Sequence, residues 1–248
     1  MNFVTQILHL IGSGATAYIS ARNMRDSLTR PNTLAALQMA ESGSVPFLEA
    51  LRDRARSEGD DWLADRLDRH ASDERRHGQI FAQALKQLNK QVIDFKNLPQ
   101  TTTDGSPDER RRSPFFAAYF EGYGPEELKP DAIDWTVFIA STYILELDAS
   151  KDFVRMAHAL PDDPKSTNLK KGILSVAQDE TGHAAYLKAA LERRLSPSEV
   201  DAVIDEWRTR KVNALLAMVG GFLQRSGTGP TLVQDETPAS QPELAGVG

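Results

Sequence analysis

The chain, 248 residues long, contains no cysteine. That removes disulfides, thiolate nucleophiles and iron–sulfur clusters, including a built-in rubredoxin-type electron donor. It accords with a reducing compartment, and a cytoplasmic location is the expectation. Positive charge is in short supply as well. Its 29 Lys and Arg face 35 Asp and Glu, a formal net charge of −6, so no nucleic-acid surface is expected. The one compact basic run, Arg110-Arg111-Arg112, reads as a solvated loop. Long apolar runs are missing. The stretch from Phe3 to Ile11 has no basic segment before it and is broken by Gly12-Ser13-Gly14. It reads as an amphipathic docking helix, not as a signal peptide or membrane span. Strand-like alternation and phosphate-binding glycine patterns are absent too, which leaves an all-α fold.

What is present is helical periodicity. After the Gly12/Gly14 break, a second short helix is expected over residues 15–28, so that 1–28 form an N-terminal helical extension. A long helix starts near Thr29-Arg30-Pro31, with Thr29 or Asn32 as its cap, and carries Leu34, Leu37, Glu41, Val45, Leu48, Leu51 and Ala55 on one face. Pro46 should kink it. Beyond Glu58-Gly59-Asp60-Asp61, a second helix lines up Leu63, Leu67, His70, Glu74, His77, Phe81 and Leu85. Residues 97–113 read as an exposed loop, and the aromatic-rich segment 114–131 follows it. A third long helix spans about 133–160 and, after Pro161-Asp162-Asp163-Pro164, a fourth spans about 166–194. Ser196-Pro197-Ser198-Glu199 is a capping box that opens a fifth helix. The expected bundle therefore occupies 29–219, and the Gly-, Pro- and Ser-rich tail 220–248 is expected to be disordered.

Two of these stripes turn polar in the same way. Asp73-Glu74-Arg75-Arg76-His77 and Asp179-Glu180-Thr181-Gly182-His183 each place a carboxylate and an imidazole at i and i+3, on one helix face. Each pair can hold a metal ion. Helix arithmetic supplies the facing acids. Glu41 lies ~24 Å and Glu74 ~20 Å from the turn that joins their helices, nearly one level in an antiparallel hairpin. Glu49, the other candidate, lies only ~12 Å from that turn and misses the level. Glu146 and Glu180 are each ~21 Å from theirs. Glu41, Glu74, His77, Glu146, Glu180 and His183 are hard-to-borderline donors suited to iron or manganese. Their four negative charges balance two divalent ions. Asp73 and Asp179 are expected to receive the outer N–H of the histidine on the opposite helix. His70, one turn before Glu74, is a candidate third ligand or gate beside a plain core role, and Tyr143, one turn before Glu146, a candidate hydrogen-bond partner of a ligand or redox-active tyrosine beside plain packing.

This ligand pattern resembles the ferritin-like di-iron carboxylate superfamily, with separations closest to the rubrerythrin type. The resemblance covers roughly residues 30–194. It implies a ferritin-like four-helix bundle with added terminal helices, holding two iron ions, with manganese or a mixed pair as alternatives. The first motif matches the extended Asp-Glu-x-Arg-His signature, with Arg76 in the network around the ligands. The second departs from it, with Gly182 where Arg would stand. The implied activity is O2-dependent oxidation of a small, largely hydrophobic molecule, with electrons from an external donor. A homodimer is a candidate assembly. An apolar channel lined by Val45, Tyr143 and some of the 115–123 aromatics is expected. The alternative is a ferritin- or rubrerythrin-like protein that oxidises iron or scavenges peroxide. A third reading is a bundle without catalysis whose acids pair with arginines.

Overall fold

A computed structural model of the chain describes residues 3–93, 113–224 and 231–236. It is mostly helical. The helices are α1 (Phe3–Arg25), α2 (Arg30–Ser57), α3 (Asp61–Gln87), α4 (Pro114–Tyr119), α5 (Trp135–Ala159), α6 (Pro164–Glu192) and α7 (Pro197–Gln224). Short acidic caps fix where several of them begin. Asp60 Oδ1 accepts from the Leu63 amide at 3.0 Å, Asp134 Oδ1 from the Thr136 amide at 2.8 Å and Asp163 Oδ1 from the Ser166 amide at 2.8 Å. Each occupies an amide that the first helical turn leaves unpaired. Thr29 stands at the α2 cap position without capping; its hydroxyl donates to the Asn23 carbonyl at 2.9 Å.

α2 and α3 form one hairpin and α5 and α6 another, and they meet chiefly through α3 and α6. That approach is tight. A Cβ built on Gly172 of α6 would lie 2.8 Å from Ile80 Cγ2 of α3. α1 packs on α5 and α7, and α4 on α7. Two apolar layers fill the hairpin pair. In the first, Leu48, Leu51, Leu63, Leu67, Ile139, Leu187 and Leu191 pack toward Trp207. In the second, Leu34, Phe81, Leu85, Phe153, Ile173 and Val176 pack together. Along every one of the four helices, the polar positions 41, 70–77, 146 and 180–183 fall between these layers. Burial of apolar side chains on both sides thus sets the level of the acids.

Three expectations need correction. The Gly12/Gly14 break is not one, because α1 runs through it. Gly12 instead permits close approach to α7, where an added Cβ would stand 3.2 Å from Leu215 Cδ1. α2 runs from Arg30 to Ser57 with Pro46 inside it. Pro46 and Ser42, whose carbonyl loses its amide partner, both sit on the exposed side, where water can replace the missing bond. α7 extends to Gln224, past the expected boundary at 219. The tail is also not wholly irregular. Val233–Asp235 (β2) pairs antiparallel with Lys90–Val92 (β1), with Val92 opposite Val233. The Leu232 amide donates to Asn32 Oδ1 at 2.6 Å, and Leu232 and Val233 pack on the second apolar layer. The alternation is only one pair deep on each strand, too short to read against a Gly- and Ser-rich background. The expected loop 97–113, apart from Ser113, and residues 237–248 lie outside the described residues.

Candidate metal centre

Between the two apolar layers, the chain brings its acids and imidazoles into two overlapping groups. Glu41, Glu74, His77 and Glu180 form one, and His70, Glu74, Glu146 and His183 the other; either group could hold a metal ion. In the first, His77 Nδ1 lies 3.1 Å from Glu41 Oε2, 3.2 Å from Glu180 Oε1 and 3.6 Å from Glu74 Oε1. In the second, His183 Nδ1 lies 3.2 Å from Glu180 Oε2, 3.8 Å from Glu74 Oε1 and 3.9 Å from Glu146 Oε2. Glu74 belongs to both groups, and Glu180 turns one oxygen to each histidine. These two carboxylates therefore face both halves, while Glu41 and Glu146 face one half each.

The outer ring nitrogens are tied crosswise. His77 Nε2, on α3, is 3.2 Å from Asp179 Oδ2 on α6, and His183 Nε2, on α6, is 3.4 Å from Asp73 Oδ2 on α3. Arg76 pairs with Asp179 and reaches Asp73 Oδ1 at 3.2 Å, which joins the two carboxylates outside the cluster. A donor N–H held by a carboxylate fixes ring orientation and leaves the inner Nδ1 lone pair directed at the acids. Glu49 lies outside the cluster, on the surface, bonded to Arg75 at 2.6 Å. Tyr143 packs in the first apolar layer, and among the described residues it makes no hydrogen bond to a cluster carboxylate.

Burial makes these charges expensive. Desolvation pushes the Glu41 carboxyl from 4.5 up to about 8 despite its hydrogen bond from His77, with Glu74 and Glu180 adding repulsion. It pushes Glu146 well above the ordinary range, and repulsion by Glu180 adds to the effect. Glu74 goes the other way; against its burial, the neighbouring His70 and His77 rings bring it down to about 2. Glu180 is also lowered against its burial, by hydrogen bonds with Glu146, His183 and His77. His77 is raised from 6.5 to about 12 because its bonds to Glu180, Glu41 and Glu74 outweigh desolvation. Without metal, burial and mutual repulsion thus favour the protonated form of Glu41 and Glu146, and the neighbouring histidines favour the ionised form of Glu74 and Glu180. Cations are what this donor set lacks, and two divalent ions would supply the compensating charge.

Three contacts escaped the sequence reading. Ser44 Oγ lies 2.9 Å from Glu74 Oε2, His70 Nδ1 lies 2.7 Å from the Tyr186 hydroxyl, and the buried pair Lys211 Nζ–Asp148 Oδ2 closes at 2.6 Å between α7 and α5. Ser44 and Tyr186 each follow a cluster residue by one helical turn, a spacing that marks the same face. A cleft of about 330 Å³ lies on the α2/α3 pair, bordered by Gln38, Ser42, Val45, Arg75, Gly78 and Gln79, and no cluster acid or histidine lines it. Of the residues expected to line a channel, Val45 borders this cleft. The aromatics do not line it: Tyr119, Phe120 and Tyr123 pack around Trp207, with ring centroids 5.0, 5.4 and 6.2 Å away. Among the described residues, no helix is long and apolar enough to cross a membrane. Comparison with protein-family models, curated proteins and solved structures gives no match to the chain.

Proposed function

We propose that the chain is a ferritin-like di-metal oxidoreductase that uses O2 to oxidise a small, largely hydrophobic organic molecule. One observation carries the reading: four glutamates and their histidines, all buried but the partly exposed Glu146, form a single layer between two apolar layers, arranged as two overlapping donor groups. Glu41, Glu74 and Glu180 with His77 would hold one ion, and Glu74, Glu146, Glu180 and His183 the other. Two irons suit these oxygen and nitrogen donors, with manganese or a mixed pair as alternatives. When bound, ferrous ions supply the electrons that reduce O2. The chain's own contribution is positional. Asp179 and Asp73 set the His77 and His183 rings, Ser44 holds one oxygen of Glu74, and the apolar layers keep bulk water from the acids. Electrons for repeated turnover come from an external donor, since a chain without cysteine carries no iron–sulfur or rubredoxin-type relay.

A second reading, iron oxidation or peroxide scavenging of the ferritin and rubrerythrin kind, draws support from the donor set itself, which suits iron without an organic substrate. Stopped-flow measurement of the anaerobically Fe(II)-loaded protein separates the two. The oxygenase reading expects a stoichiometric reaction with O2, repeated only when a reductant and an organic substrate are added. Fast multiple turnovers on Fe(II) or peroxide alone would overturn it in favour of the second.

A further inference from the structure

The paired Glu-x-x-His motifs account for two imidazoles, yet the buried layer contains three. His70 is 2% exposed, and its ring stacks on that of His183 with centroids 3.7 Å apart and an interplanar angle of 24°. Its two nitrogens have different surroundings. Nδ1 lies 2.7 Å from the hydroxyl of the buried Tyr186, a normal hydrogen bond. Nε2 lies 3.4 Å from both Glu74 Oε1 and Glu146 Oε1. Those separations are long for hydrogen bonds, and a lone imidazole N–H cannot aim at both oxygens. They suit the edges of a coordination sphere. Two donors ~2.1 Å from one ion are ~3.0 Å apart at right angles and ~4.2 Å apart when opposite.

Resting on the di-metal reading above, we infer that His70 is a seventh protein ligand, binding through Nε2 the ion held by Glu74, Glu146 and His183. Tyr186 is its positioning residue: the phenol oxygen accepts the Nδ1 proton, which fixes the tautomer that leaves Nε2 free to coordinate. The two ions are then inequivalent. The one beside Glu146 has two imidazoles, His70 and His183, and the one beside Glu41 has only His77. Nitrogen-rich sites favour later first-row ions, so the Glu146 side should prefer iron to manganese more strongly than the Glu41 side. A mixed pair would order itself accordingly.

The test is anaerobic titration of the full chain with ⁵⁷Fe(II), followed by Mössbauer spectroscopy and bound-metal analysis, for the wild type, His70→Ala, His70→Gln and Tyr186→Phe. Helicity is checked by circular dichroism. The wild type should bind two ions that give two distinct quadrupole doublets. Both His70 variants should keep one ion with the doublet of the Glu41 side and lose the other, or bind it at least 100-fold more weakly. Tyr186→Phe should retain both doublets while weakening the same ion by roughly 10–100-fold. His70 variants that bind two ions with wild-type affinities and spectra would overturn the assignment, as would equal weakening of both ions. A folded wild type that binds no iron would instead overturn the di-metal reading itself, so the two failures are distinguishable.

Discussion

Stripping the metals should turn the buried acids into a pH-dependent liability. In the unfolded chain Glu41 titrates near 4.5, whereas in the metal-free fold burial pushes it to about 8. The folded state therefore holds this proton more tightly. The associated stability is present in full below 4.5 and is lost as pH rises to about 8. Inside that window the loss is about 1.4 kcal/mol per pH unit, so raising pH from 5.5 to 7.5 costs about 2.7 kcal/mol from Glu41 alone. For a chain of this size that lowers Tm by roughly 5–10 °C. Glu146 shifts in the same direction and steepens the fall. His77, raised from 6.5 to about 12, adds to it above 6.5, where its extra stability begins to be lost. Glu74, lowered to about 2, is ionised in both states across this range and leaves the slope unchanged. Bound cations replace the protons, so loading should flatten the profile and release protons near neutral pH. The assay is thermal melting followed by circular dichroism, with chelator or with excess metal, between pH 5.5 and 7.5. Glu41→Gln should remove about 1.4 kcal/mol per pH unit from the metal-free slope. A flat metal-free profile, or an unchanged slope in that variant, would refute the reasoning.

Glu74 faces both halves of the cluster, whereas Glu49 lies on the surface beside Arg75; Glu74→Ala should therefore abolish stoichiometric metal binding, and Glu49→Ala should leave metal content within error of wild type by elemental analysis. Truncation after Gln224 removes β2 and the Leu232–Asn32 bond. It should lower stability by about 1–2 kcal/mol in urea melts while leaving metal stoichiometry unchanged, and loss of bound metal would show that the tail supports the cluster. Asp179→Asn keeps the shape but weakens the hold on His77 and Arg76; its metal affinity, measured by competition with a chromophoric chelator, should fall roughly 10–100-fold, and an unchanged affinity would remove Asp179 from the account.

The level of the acids was legible because helix rise is constant and the turns were well marked. Counting residues from Ser57 and Asp61 selects Glu41 over Glu49, and the structure places Glu41 beside His77 and Glu49 at the surface. The crosswise ties to Asp73 and Asp179 were legible for the same reason, since each precedes its Glu by one residue and flanks the same face. What escaped was whatever depended on close approach between distant segments. Gly12 read as a helix breaker because nothing local shows that Leu215 fills the space beside it. Some of the 115–123 aromatics read as channel lining, and only the packing against α7 reveals that Tyr119, Phe120 and Tyr123 cover Trp207. His70 was visible on the stripe, but its meaning depended on Tyr186, more than a hundred residues away.

The central claim is that the buried layer is a two-ion site. Anaerobic reconstitution with Fe(II), removal of loosely bound metal by gel filtration, and elemental analysis of the folded chain test it most directly. The account predicts about two iron ions per chain, lost together when Glu74 is replaced by Ala. Fewer than about 0.2 ions per chain, or two ions that survive that replacement, would contradict it.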